Sequence, residues 1–269
     1  MVEIQKSDVE HILQAHKGNN IFERALNNAT SDKNLIALLG AYVQFNSVFA
    51  PGVASLAGEI GVRQDIFREK TEPIEILGDR SAEVAAKIFF AAIDEYARRI
   101  THRMLAQKLL KSLTEGYDSA ELNAIFSKNF YVRNAMTMVK RGYEVNKQVR
   151  DWELFKGMGF HMGSEILADN EFIILNNFLQ EHFPGLVKYL EEHQSYAWVK
   201  IHTTVEAEHF ESAVAGANLA LKYYCGERSP EEVKHHVVSG LEDFSDIQTR
   251  FMKGMLEQSL KSKNHGGGE

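Results

Sequence analysis

Four prolines occur in 269 residues, and each interrupts a helical pattern: Pro51 in FAPGV, Pro73 in KTEPIE, Pro184 in HFPGL and Pro230 in ERSPEE. Proline has no amide proton and its ring clashes with the preceding turn, so it suits a helix joint or first turn and not a helix interior. Between these joints the apolar residues recur at three and four. The sustained apolar–polar alternation of a half-buried strand is missing. The expectation is an all-α protein. Short helices are predicted near residues 6–16 and 20–29, followed by helices over about 32–49, 52–66 and 80–113. A shorter pair is expected across 118–141, then long helices over 146–181, 195–226 and 229–261, with a short one near 185–193. Residues 1–30 read as an N-terminal helical extension, 31–261 as one helical domain, and 262–269 as a mobile tail with nothing to bury.

The composition, 44% hydrophobic and 25% charged, supplies a sizeable core. A net charge of -7 gives no electrostatic reason to expect nucleic acid or an anionic membrane as partner. The lone Cys225 makes no internal disulfide. The opening MVEIQKSDVEH lacks the layout of a signal peptide, and no apolar run approaches the roughly 20 residues of a membrane span. These features predict a soluble, cytoplasmic protein.

The stretch IHTTVEAEHF, residues 201–210, places His202, Glu206 and His209 at i, i+4 and i+7. At about 100° per residue they fall within roughly 60° of one another, forming one stripe over two turns. Trp198, Ala213, Gly216 and Ala220 share that face, while Glu208 and Glu211 fall away from it. The stripe is therefore expected to point inward. A glutamate beside two imidazoles in a buried setting is expensive unless it is paired or coordinated. The residues alone leave two readings, a satisfied polar network or a metal site, and the inward orientation favours metal.

Two further places offer similar groups. In the predicted helix 80–113, Glu95 and His102 are seven apart, on a face with Ile88, Ala91, Ala106 and Leu109. Phe89, Phe90, Ile93 and Met104 lie on its other sides, so the helix is expected to be buried nearly all round. In GMGFHMGSEILADNEF, Glu165 shares a face with Met158, Met162 and Phe172, and a carboxylate amid an apolar stripe suggests function. Glu171 falls about 120° away from it. His161 reads most simply as a packed histidine.

The combination of E-x6-H, a lone Glu in SEILADNEF and H-x3-E-x2-H resembles the haem-oxygenase-like diiron oxidases and oxygenases. That family includes the chlamydial protein associating with death domains (CADD) and its cyanobacterial relatives. The resemblance spans roughly residues 32–260. It implies a haem-oxygenase-like helical bundle in which Glu95, His102, Glu165, His202, Glu206 and His209 hold two iron ions, with Mn admissible at one position. Relatives can carry Asp at the position of Glu206, and the extra methylene changes how that carboxylate reaches the metals. The family chemistry implied is activation of O2 to attack an amine, a C–H bond or a C–C bond of a small organic molecule such as an amine, amino acid or carboxylic acid. A homodimer is implied on the same grounds. Mixed carboxylate and imidazole ligation suits Fe(II), whereas a closed structural zinc site usually draws on cysteine.

Three other readings compete. A ferritin-like diiron bundle needs two E-x-x-H motifs. Glu206/His209 and Glu232/His235 qualify by spacing, but the second pair falls on the polar side of its helix. A cysteine nucleophile on the same fold would require an activated Cys225, which has no histidine neighbour in sequence. A non-redox binding or interaction protein would have no use for six inward ligand-type residues. For the substrate, Tyr42, Phe45, Phe49 and Trp198 are candidate pocket-lining residues, and Arg99 is a candidate partner for a substrate carboxylate.

Overall fold

The computed structural model describes residues 2–97, 100–127, 130–144 and 150–265, and each proline in it stands at a helix joint. Pro51 lies in the first turn of its helix, Pro184 and Pro230 open theirs, and Pro73 lies in a connection. In chain order the described helices are α1 (Lys6–Ala15), α2 (Gly18–Asn27), α3 (Asp32–Asn46), α4 (Phe49–Gly61), α5 (Glu75–Gly78), α6 (Ser81–Ala97), α7 (His102–Leu113), α8 (Ser119–Phe126), α9 (Phe130–Tyr143), α10 (Asp151–His182), α11 (Pro184–Glu192), α12 (Ala197–Tyr223) and α13 (Pro230–His265). No β-strand occurs among the described residues. Of two isolated bridges, Phe67 with Tyr224 ties the 62–80 connection to the end of α12, and Arg68 with Asp79 closes the connection on itself. The protein is all-α, as its sequence predicts.

One long helix over 80–113 is not what forms. Thr101 takes an extended conformation, φ -66° and ψ 154°, and its side chain accepts from the Met104 amide, so it caps the start of α7. A threonine whose hydroxyl satisfies an otherwise unpaired helical N–H favours the cap over a helix interior. Glu95 and His102 therefore belong to two helices. Nor is this region buried all round, since Ile93 and Met104 are exposed.

Two helices, α10 and α13, form the spine. Their backbones touch through glycines: a methyl on Gly159 would stand 1.7 Å from the Val237 carbonyl oxygen, and one on Gly240 would stand 1.9 Å from that of Lys156. The interface thus excludes any side chain at either position. Helix α12 packs on α10 and α6, α4 packs on α6, and α13 also runs along α2. Phe22, Ala25 and Leu26 of α2 are fully buried in the same core, so part of the first 30 residues completes the spine.

The stretch Asp32–Gly61 has the length and apolarity of a membrane span, which the sequence reading did not expect. The structure divides it between α3 and α4, and Leu35 through Val43 form an unbroken buried run packed within the core.

Candidate metal centre

Helix α12 turns His202, Glu206 and His209 inward, and all three are buried along with Ala213, Gly216 and Ala220. Glu208 and Glu211 are exposed, as the wheel predicts. Helices α6, α7 and α10 bring Glu95, His102 and Glu165 against this stripe. The six sequence-predicted ligands assemble as two adjacent groups able to hold a metal ion: Glu95, His102 and His202, and Glu165, Glu206 and His209.

In the first group, His102 Nδ1 lies 2.8 Å and His202 Nε2 3.4 Å from Glu95 Oε1. The second gathers on His209 Nδ1, which stands 3.3 Å from Glu165 Oε2 and 3.4 Å from Glu206 Oε2. His202 Nε2 also lies 3.7 Å from Glu206 Oε1, which joins the groups. The His102 and His202 rings meet edge to face at 4.7 Å, and Phe172 stacks on His202 at 4.4 Å. These ring contacts fix the imidazoles from the sides.

The tautomer of His202 follows from its other contact. His202 Nδ1 donates to the Trp198 carbonyl oxygen at 2.7 Å. A carbonyl only accepts, so Nδ1 carries a proton, and Nε2 is the atom turned to two carboxylates. That edge calls for a cation against the carboxylates, whether a proton on Nε2 or a metal ion between them. A backbone carbonyl on the distal nitrogen is also the usual way a metal-binding histidine is oriented.

Charge gives the same result. Burial pushes the Glu95 carboxyl up, but hydrogen bonds and charge from His102 and His202 outweigh it and hold the group at about 2. Burial and the neighbouring Glu165 charge drive Glu206 well above the ordinary carboxylate range, whereas His161 and His209 hold Glu165 below it. Burial disfavours charge on His209, yet hydrogen bonds and charge from Glu165 and Glu206 raise it to about 10. Two carboxylates crowded on one imidazole thus keep a proton between them. A divalent cation would take that proton's place, as metal binding to such ligands releases protons. The donor set, three carboxylates and three imidazoles without a thiolate, fits iron or manganese better than structural zinc. These buried Glu and His clusters are suited to hold metal ions.

Around the groups lies a cavity of about 280 Å³, lined by Phe45, Phe49, Trp198 and Phe244, with Arg103 and Gln107 also on its wall. That volume is at the small end for ligand pockets. Three of the four proposed aromatic residues line it. Tyr42 instead is fully buried and donates to Glu171 Oε2 at 2.8 Å. Gln248 Nε2 donates to the other Glu171 oxygen at 2.5 Å. Arg99 lies outside the described residues.

Several residues fall differently from, or beyond, the sequence reading. His161 is a packed histidine, but its Nδ1 also lies 3.1 Å from Glu165 Oε1 and so supports that carboxylate. Asp94 was missed: its Oδ2 stands 3.7 Å from His102 Nε2 and 3.6 Å from His209 Nε2. Its only signal in the sequence is adjacency to Glu95. Glu232 and His235, the second E-x-x-H pair, are exposed. Glu232 serves instead in a reciprocal cap, accepting from the Ser229 amide at 2.8 Å while its own amide donates to Ser229 Oγ at 3.2 Å. The Cys225 thiol is half-buried and donates to the Asp65 carbonyl oxygen.

No protein-family model matches the chain, and no curated protein matches it.

Proposed function

We propose that the protein is a non-haem diiron oxidase or oxygenase of the haem-oxygenase-like kind, acting on a small organic molecule. The observation that carries the reading is the pairing of two three-residue groups in one cavity, joined through His202 and Glu206. Glu95, His102 and His202 would hold one iron, and Glu165, Glu206 and His209 the other. Iron bound there would supply O2 activation.

The rest of the task falls to the protein. Trp198 holds His202 by its carbonyl oxygen, and His161 holds Glu165. Glu206, the carboxylate pushed up by burial and by Glu165, is the group placed to give up a proton when metal enters. Phe45, Phe49, Trp198 and Phe244 wall the cavity with apolar surface that excludes water and accepts the hydrocarbon part of a substrate. The cavity size favours an amine, amino acid or carboxylic acid over a larger substrate.

The test is O2 consumption after anaerobic loading with Fe(II), with Zn(II)-loaded protein as control. The reading predicts uptake in proportion to bound iron, accelerated by one class in a panel of small amines, amino acids and carboxylic acids. Equal uptake by the iron and zinc forms would refute it.

A further inference from the structure

We propose that Asp94 is a positioning carboxylate shared by both metal groups, holding His102 and His209 with their Nδ1 atoms turned to metal. The inference rests on the two-metal reading above. In His209, Nδ1 is the atom facing Glu165 and Glu206, while Nε2 points away and meets Asp94 Oδ2 at 3.6 Å. His102 repeats the arrangement. Its Nδ1 is 2.8 Å from Glu95, and its Nε2 is 3.7 Å from the same Asp94 oxygen.

His102 supplies an independent sign. Its side chain is 1% exposed, yet Nε2 has no hydrogen-bond partner. A buried ring nitrogen left unmatched is costly, which marks Nε2 as an atom whose partner must come closer. A neutral imidazole that binds metal through Nδ1 carries its proton on Nε2. Both rings would then present an N–H to one carboxylate oxygen, and outer carboxylates of this kind fix ring orientation and raise ligand basicity.

Placement and charge agree with this role. Asp94 precedes Glu95 on α6, so the two side chains leave the helix about 100° apart and serve different edges of the centre. The three ligand carboxylates leave one positive charge uncompensated against two divalent cations. Asp94 supplies the fourth negative charge without entering either ligand group.

The test is anaerobic Co(II) titration of the full chain, followed through the visible ligand-field bands, for the wild type and for Asp94→Asn, Asp94→Ala and Asp94→Glu. Far-UV circular dichroism checks folding, and the isosteric Asn variant carries the test if Ala fails to fold. The expected result is two Co(II) per chain in every folded variant. Affinity should fall about 10- to 100-fold with shifted bands in Asn and Ala, and should largely recover in Glu. Wild-type affinity and bands in Asn and Ala would overturn the positioning role. Loss of one whole Co(II) in Asn would also overturn it, by making Asp94 a ligand. A wild type that binds no Co(II) would instead remove the two-metal reading on which the role depends.

Discussion

Glu171 lies in the same cavity as the six candidate ligands but belongs to neither metal group. Burial pushes its carboxyl up to about 7 despite hydrogen bonds from Gln248 and Tyr42, against an ordinary value of 4.5. The folded state therefore holds this proton more tightly than the unfolded chain does. Its contribution to stability is complete below about pH 4.5 and is lost as pH rises to about 7, on the order of 3 kcal/mol. Urea unfolding of the metal-free protein should show Glu171→Gln gaining on the wild type between pH 5 and pH 8; a constant difference would contradict the shift. His202→Ala removes the residue that joins the two groups. Metal analysis should find about one ion per chain lost, with far-UV ellipticity retained, and full metal content would take His202 out of the centre. The stripe on α12 was legible from sequence because three ligands on one helix carry their own internal spacing. Asp94 was not, because a wheel assigns it a different direction from Glu95, and its partners His102 and His209 lie on two other helices. Glu171 could be placed away from Glu165, but Tyr42 and Gln248 come from α3 and α13, and no local pattern announces them.

At the level of elements, the joints were legible and one was missed. Prolines marked the starts of α4, α11 and α13, whereas the break between α6 and α7 rests on the Thr101 cap, a weaker signal inside a strongly helical stretch. Glu95 and His102 do not share a continuous helix, so their i, i+7 spacing is not what brings them together. The pair meets all the same, with His102 in the first turn of α7 and its Nδ1 2.8 Å from Glu95 Oε1. Glycines in the spine separate packing from propensity. Gly159→Ala or Gly240→Ala forces a methyl onto a facing backbone and should destabilise by about 3 kcal/mol or more in denaturant unfolding, since backbone has little room to yield. Gly58→Ala, in α4 with open space around it, should instead stabilise by about 0.5–1 kcal/mol. The same sign for both substitutions would show that the α10–α13 contact does not constrain the fold.

Over the whole molecule, four helices converge on six ligand-type side chains, five of them buried and Glu95 partly so, and metal should therefore be linked to stability. A ligand bound only by the folded state at a hundredfold excess over Kd contributes about 2.7 kcal/mol, which for a domain of this size raises Tm by about 5–10 °C. Thermal melts with Fe(II) under argon and with chelator should differ by at least that much, and coincident melts would argue for a polar network satisfied by protons alone. The most direct test of the central claim is anaerobic Fe(II) titration of metal-free protein, with bound iron counted by elemental analysis after removal of free metal. Two irons per chain, falling in both His202→Ala and Glu206→Ala, is the result predicted. No retained iron in the wild type, or two irons undiminished in both variants, would contradict it.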